Sequence, residues 1–74
     1  MKQEKVFTVQ LGENHEGIMR TALHATREGA EAKALAWIEA SSFEWKETTP
    51  YGDFLAMWTG GCDYIQILEQ EIEG

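Results

Sequence analysis

The residues that could bind a metal ion are few and scattered along the chain. His15 lies between Glu13 and Glu16 in a loop bracketed by glycines, and His24 follows later in a strand-like segment. A protein metal site needs several converging ligands, and this loop supplies the one cluster. We therefore expect no metal site and interpret both histidines as surface residues.

Cys62 is the remaining candidate for covalent chemistry, since it is the chain's one cysteine. As a nucleophile it would need a histidine to approach it, and its neighbours Gly61 and Asp63 supply no such base. No phosphate-binding loop, serine elbow or glycosidase-type carboxylate pair is present in the sequence. We predict no enzymatic activity and no cofactor. A single thiol also excludes an internal disulfide and fits a reducing compartment.

A row of acidic residues stands near the C-terminal end of the sequence. In an extended strand Glu69, Glu71 and Glu73 share one face, with about 6.5–7 Å between successive side chains. This spacing is close to that of phosphates along a nucleic-acid strand, so the row could mimic a nucleic-acid backbone and occupy a basic groove. The alternative is a charged edge strand that resists edge-to-edge aggregation.

Charge is unevenly distributed between the two halves of the chain. Residues 1–37 contain five acidic and five basic residues, whereas residues 38–74 contain eight acidic residues and one basic residue, Lys46. The net charge of −7 therefore belongs to the second half. Such a half repels nucleic acid and anionic membranes and attracts a basic surface. We predict a protein partner with a basic surface, no direct nucleic-acid binding and no membrane binding.

One helix is predicted from local signals. Thr26 is a suitable N-cap, and the alanine-rich segment from Arg27 to about Ala40 has high helix propensity. Its predicted packing face repeats at helical spacing and consists of Ala30, Ala34, Trp37, Ile38 and Ser41. Two alanines on that face would let the helix lie close to a sheet.

Strands are predicted on both sides of this helix. Residues 6–11 and 18–25 alternate in polarity and form a hairpin across the polar loop 12–17. Residues 53–59 and 62–72 form a second hairpin with Gly60-Gly61 as its turn, and residues 41–52 contain a short edge strand or an ordered loop. The predicted fold is a single α+β domain over residues 1–74. It has a four- or five-stranded, mainly antiparallel sheet with one helix packed across it, in the order ββα(β)ββ.

The second hairpin has two apolar faces. With Gly60-Gly61 as the turn, Trp58 pairs with Asp63. One face then carries Phe54, Ala56, Trp58, Ile65 and Ile67, and the other carries Leu55, Met57, Tyr64 and Leu68. One helix covers only one of these faces. Either the segment 43–51 folds over the second face, or part of that face remains exposed as a binding or dimerisation patch.

The chain has room for one modest core, and its N-terminus carries no apolar segment of signal-peptide or membrane length. We therefore expect a soluble, cytoplasmic protein.

The layout also resembles a known group of proteins. A short hairpin, the capped helix beginning Thr26-Arg27-Glu28-Gly29 and the strand Tyr64-Ile65-Gln66-Ile67-Leu68-Glu69 together resemble small acidic accessory proteins of bacteriophages and prophages. That group includes inhibitors of bacterial immunity such as anti-CRISPR proteins. The resemblance covers most of the chain as architecture and transfers no functional residue. It implies a stoichiometric inhibitor of a host nucleic-acid-handling enzyme, such as a CRISPR effector, in a bacterial cytoplasm.

We accordingly expect a non-catalytic protein-binding inhibitor or modulator. Its predicted contact residues are Glu69, Glu71, Glu73, Asp63, Trp45, Tyr51, Met57 and Trp58. One alternative is a homodimeric regulatory or structural subunit with a self-complementary apolar patch. Another is a small-molecule-binding module whose pocket is lined by Trp37, Trp45, Tyr51 and Trp58.

Overall fold

Five antiparallel strands form one sheet, and a single helix packs on one of its faces. The computed structural model describes residues 3–42 and 44–73, and of residues 3, 4, 72 and 73 it describes the backbone. The elements are β1 (Gln3–Glu13), β2 (Gly17–His24), α1 (Arg27–Ala40), β3 (Lys46–Thr48), β4 (Phe54–Gly60) and β5 (Asp63–Glu73). The strand order is β2-β1-β5-β4-β3. The predicted α+β fold is confirmed, and the segment 41–52 contributes the short edge strand β3.

The helix forms where its local signals place it. The Gly29 N–H donates a hydrogen bond of 3.0 Å to Thr26 Oγ1, so Thr26 is the N-cap. Ala30 and Ala34 are fully buried, because a side chain of one methyl group allows the helix axis to approach the sheet closely. No helix in the part of the chain that the structure describes is both long enough and apolar enough to cross a membrane.

The core lies between α1 and the middle of the sheet. β5 lies between β1 and β4, so its alternate residues Ile65 and Ile67 are fully buried, and Val9 of β1 is fully buried beside them. Ala56 and Trp58 of β4 belong to the same cluster. Phe7 and Leu11 of β1 also pack against this cluster, as the predicted alternation of β1 requires.

The register of the second hairpin differs from the prediction. Trp58 pairs with Ile65 instead of Asp63, and Gly60 pairs with Asp63, so the turn consists of Gly61 and Cys62. Gly61 has a φ of 60°, which is the positive value expected at the first central position of a tight hairpin turn. When a hairpin turn moves by one residue, each residue's cross-strand partner changes by two positions. Side chains two positions apart point to the same face of a strand. The predicted faces of Trp58 and Ile65 therefore survive the error in register.

A β-bulge in β4 exchanges two predicted positions. Phe54 pairs with Leu68 and Ala56 pairs with Ile67, which leaves Leu55 as the extra residue. Leu55 packs against the helix-side core, whereas Phe54 lies with Leu68 on the opposite face. The prediction that Phe54 shares a face with Ala56 and Trp58, and Leu55 a face with Met57, was therefore wrong.

The face away from the helix, called the open face below, is shielded partly by its own side chains. Thr8 Oγ1 donates a hydrogen bond of 2.8 Å to Gln70 Oε1, and Gln66 Nε2 donates one of 2.7 Å to Gln10 Oε1. A Cβ at position 12 would overlap the Tyr64 ring, so that ring lies directly over the Gly12 backbone. Cross-strand contacts of this kind cover the centre of the open face without a second helix.

Residues 44–51 are divided between the two faces and do not simply cover the open one. Trp45 packs against the helix-side core, and its indole Nε1 donates a hydrogen bond of 2.7 Å to Ser41 Oγ. Thr48 pairs with Met57 and extends the edge of the sheet. Phe43 lies outside the described residues.

Candidate functional site

The two longest strands extend beyond the rest of the sheet. β4 begins opposite Leu68 and β2 ends opposite Phe7, so beyond these points only β1 and β5 remain paired. Residues 3–7 and 69–73 therefore form a projection that is two-stranded beyond the Phe7–Glu69 pair, and we call it the acidic ribbon. It lengthens the molecule to principal extents of 44 × 22 × 21 Å.

The acidic ribbon presents its carboxylates on one face. Glu69 and Glu71 are exposed and continue the alternation of Ile65 and Ile67, so they lie on the side of the sheet that carries the helix. Their side chains are separated by about 6.5–7 Å, as the rise of a strand requires. The backbone of Glu73 continues the same alternation, and its side chain lies outside the described residues.

Among the side chains that the structure describes, one lysine lies beside these carboxylates. Lys5 is directly opposite Glu71 in register, and its Nζ is 3.7 Å from Glu69 Oε2. Both side chains of this ion pair are substantially exposed, so it adds little stability to the fold. It does reduce the negative potential of the ribbon, an effect that the sequence pattern of the last strand by itself did not reveal.

The predicted contact residues do not come together on one surface. Glu69 and Glu71 lie at one end of β5, whereas Asp63 is half-buried at the other end, beside the Gly61-Cys62 turn. At the strand rise of about 3.3 Å per residue, Asp63 and Glu69 are roughly 20 Å apart. Asp63 is therefore too distant to act with the acidic ribbon on a small contact area.

Two of the four predicted aromatic and methionine contacts are buried, and a third is half-buried. Trp58 is buried in the helix-side core, and Trp45 is half-buried against it. Met57 is buried on the open face. Tyr51 alone is largely exposed. The expectation of an exposed aromatic patch was wrong for Met57 and Trp58, because the helix and the mutual packing of the strands bury them.

A concavity of about 590 Å³ lies on the open face. Its lining includes Phe54, Met57, Tyr64 and Gln66 from the sheet and Tyr51 from the segment before β4. The rings of Tyr51 and Phe54 meet edge to face, with centroids 5.8 Å apart. Among the described residues that line it, Glu13 is the one carboxylate and there is no lysine or arginine.

This concavity is not the pocket that was predicted from the tryptophans. Of the residues Trp37, Trp45, Tyr51 and Trp58, only Tyr51 lines it. Trp37 lies on the helix, where the guanidinium of Arg20 sits 5.6 Å from its ring centroid. The sequence did contain a signal for this face, because its alternation places Met57 and Tyr64 on the same side of the hairpin. It could not show which residues border the concavity.

The residues considered for metal or covalent chemistry remain dispersed. His15 and Cys62 are exposed in two different turns, which a hydrogen bond of 2.9 Å from Asn14 N–H to the Cys62 carbonyl holds together. His24 is not the surface histidine expected, because it is half-buried next to Gly29 at the start of α1 and its Nε2 is buried without a hydrogen-bond partner. Within residues 3–42 and 44–73, no group of three or more His, Cys, Asp or Glu side chains could hold a metal ion.

Two exposed features therefore remain as candidate binding sites, the acidic ribbon and the concavity on the open face. They lie on opposite faces of the sheet, since Glu69 shares the helix side with Ile67 whereas Gln66 and Tyr64 belong to the open face. Comparison of the chain with protein-family models, curated proteins and solved structures found no match.

Proposed function

We propose that this chain is a non-catalytic protein-binding inhibitor or modulator whose acidic ribbon binds a basic surface of another protein. The observation that carries the proposal is the position of Glu69 and Glu71, which are exposed on one face of a projecting pair of strands. A projection only two strands wide can enter a groove that the five-stranded body cannot. The partner's lysines and arginines would meet carboxylates held at strand spacing.

The distribution of charge over the sheet supports the same proposal. β5, β4 and β3 are neighbours in the strand order, and all three come from the half of the chain that carries the net charge of −7. β1 and β2 come from the half of the chain whose net charge is zero. One side of the molecule is therefore acidic, which would speed and orient the encounter with a basic surface.

The more specific form of the proposal concerns the identity of the partner. We propose a surface that a host enzyme uses to bind nucleic acid, such as that of a CRISPR effector. The resemblance to phage accessory proteins and the regular spacing of the carboxylates support this form. On this proposal the protein and the nucleic acid compete for one site.

A charge-neutralised ribbon provides the test. The full chain, immobilised, is exposed to a bacterial lysate, and bound proteins are identified by mass spectrometry for the native sequence and for Glu69→Gln/Glu71→Gln. The control is Glu39→Gln/Glu44→Gln, which makes the same change in net charge at exposed positions outside the ribbon. We expect basic nucleic-acid-binding proteins on the native chain and on the control, fewer on the ribbon variant, and displacement by added nucleic acid or salt. Equal capture by the two variants would contradict the proposal.

Lys5 allows the opposite change in the same surface. Because its Nζ lies 3.7 Å from Glu69 Oε2, the substitution Lys5→Gln would unmask that carboxylate. We expect the association rate with the captured partner to rise, and to rise more than with Lys46→Gln, which removes an exposed charge from β3. Surface plasmon resonance at several salt concentrations measures both rates. A decrease for Lys5→Gln would show that Lys5 itself contacts the partner.

The concavity on the open face favours a second candidate function, the binding of a small molecule. Its aromatic lining with Tyr51, Phe54 and Tyr64, and the presence of Glu13 without a lysine or arginine, suit a neutral or cationic ligand better than an anion. Thermal unfolding in the presence of a metabolite panel would identify such a ligand, because binding to the folded state raises the unfolding temperature. A ligand that stabilises Tyr51→Ala equally would not occupy this concavity.

A further inference from the structure

The sheet has one edge that is long and apolar, and a bulge at Met19 is the one interruption in its described residues. We propose that β2 pairs with β2 of a second copy of this chain, so that two sheets join into one continuous antiparallel sheet. This interface is separate from the acidic ribbon and does not depend on the function proposed above. It also differs from the apolar patch around Met57 that the sequence suggested, because Met57 is buried.

The two edges of the sheet differ in how they are protected. β3 is three residues long, and its Lys46 and Glu47 are both exposed and charged. Short, charged strands resist pairing with another chain. β2 is eight residues long, has a neighbour on one side only within the described sheet, and carries Arg20 as its one charged residue. Its outward N–H and C=O groups therefore form a row that another strand can pair with, most regularly over residues 20–24 beyond the bulge at Met19.

The side chains of β2 reinforce this asymmetry. Ile18, Met19 and Leu23 are exposed by 45 %, 50 % and 63 %, so three of the five large apolar residues that the described structure exposes lie on one strand. The bulge between Leu11 and Gly12 places Ile18 opposite Gly12, on the same open face as Leu23. Pairing with a second strand would bury part of each of these side chains.

Charge favours a second copy as the occupant of this edge. β2 and its neighbour β1 belong to the half of the chain with no net charge. In an edge-to-edge dimer the two β5 strands would be separated by five strand spacings, roughly 24 Å. This exceeds the Debye length of about 8 Å at physiological ionic strength, so repulsion between the two acidic halves is largely screened.

The symmetry of an antiparallel pair also suits the sequence of β2. A two-fold axis at Thr21 pairs Arg20 of one copy with Ala22 of the other, which keeps the two copies of Arg20 from lying directly opposite each other, and brings Leu23 towards the bulge at Met19. A register centred on Arg20 would instead place like charges directly opposite each other, which is destabilising.

The remaining free strand edges of the described sheet belong to β3 and to the acidic ribbon, which carries Lys5, Glu69 and Glu71. Assembly should therefore stop at the dimer.

Sedimentation equilibrium of the full chain tests the proposal, together with the variant Leu23→Lys. An interface limited to one strand edge is small, so we expect a monomer–dimer equilibrium that depends on concentration. Leu23→Lys should raise the dimer dissociation constant by about tenfold or more, since it replaces an apolar contact twice across the axis. The control is Leu35→Lys, at a helix position of similar exposure (51 %), which should leave the dimer intact.

Amide hydrogen exchange on the unmodified chain gives a readout that needs no variant. Alternate amides of residues 17–24 should gain protection as the concentration rises, while those of residues 46–48 should not. A chain that remains monomeric up to about 1 mM would overturn the proposal. So would a dimer that Leu35→Lys dissociates and Leu23→Lys does not, or assembly into long fibres, which would require a second open edge.

Discussion

Replacing Gly60 by alanine should destabilise the fold through contact with one aromatic ring. A Cβ at this position would lie 2.6 Å from Trp45 Cδ2 and 2.9 Å from the carbonyl oxygen of Glu44. Carbon atoms in contact are normally about 3.5–4.0 Å apart, so the Trp45 segment would have to move by roughly 1 Å. The carbonyl oxygen of Glu44 belongs to the main chain, so it cannot rotate away from the added Cβ as the end of a long side chain could.

The expected cost follows from two opposing effects. Overpacking of this kind lowers the free energy of unfolding by about 1–3 kcal/mol. Alanine also restricts the unfolded chain relative to glycine, which raises the free energy of unfolding by about 0.4–1 kcal/mol. The net loss of about 1–2 kcal/mol is a large part of the roughly 3–5 kcal/mol that a core of this size supplies. It corresponds to a decrease in unfolding temperature of roughly 5–15 °C.

Urea unfolding followed by circular dichroism measures this loss, and a double-mutant cycle identifies its cause. In a Trp45→Leu background, Gly60→Ala should lower the free energy of unfolding by at least about 0.5 kcal/mol less than it does in the native sequence, because the indole ring is absent. Gly61→Ala is the matched control: its Cβ would have nothing within 4 Å, and its cost arises from the φ of 60°. That cost should be equal in both backgrounds. Stability unchanged by Gly60→Ala, or a cost independent of Trp45, would refute this explanation.

Three further substitutions test other parts of the fold. Thr26→Ala should cost about 1 kcal/mol in urea unfolding, because the Gly29 N–H loses its acceptor, and an unchanged midpoint would show that the cap contributes nothing. Gly61→Val should lower the unfolding temperature more than Gly61→Ala does, because a β-branched residue tolerates positive φ poorly; equal losses would contradict this. Met57→Gln should cost about 1–3 kcal/mol without changing the oligomeric state, because the side chain is 6 % exposed. Dissociation of a dimer at unchanged stability would instead place Met57 at an interface.

The helix and the faces of β1 were predictable because they depend on neighbours in sequence. The N-cap at Thr26 and the packing of Ala30 and Ala34 are set within a few turns of the chain. The alternation of Phe7, Val9 and Leu11 towards the core follows from the period of a strand, whatever strand lies beside it. The acidic row was predictable in the same way, and its expected functional role remains a prediction.

The candidate site was less predictable, because exposure depends on what packs on each face. Tryptophan and methionine have the same appearance in a sequence whether they belong to a core or to an interface. The sequence could not show that Trp58 lies under α1, that Trp45 covers Gly60, or that Lys5 stands opposite Glu71. These facts require β1 and β5 to be neighbours, although they lie at opposite ends of the chain.

The turn of the second hairpin separates most clearly what the sequence determined from what the tertiary structure decided. The sequence by itself determined that a tight turn lies near residues 60–62, since two adjacent glycines between two apolar strands leave few other places for it. Either glycine could supply the positive φ. Trp45, fifteen residues earlier in the chain, packs over Gly60 so closely that a Cβ cannot fit there. Gly60 ends β4, Gly61 takes the φ of 60°, and each strand partner lies two residues from its predicted position. The existence of the turn follows from the local sequence, whereas the register in which Gly60 belongs to the strand and lies under Trp45 is seen only in the tertiary structure.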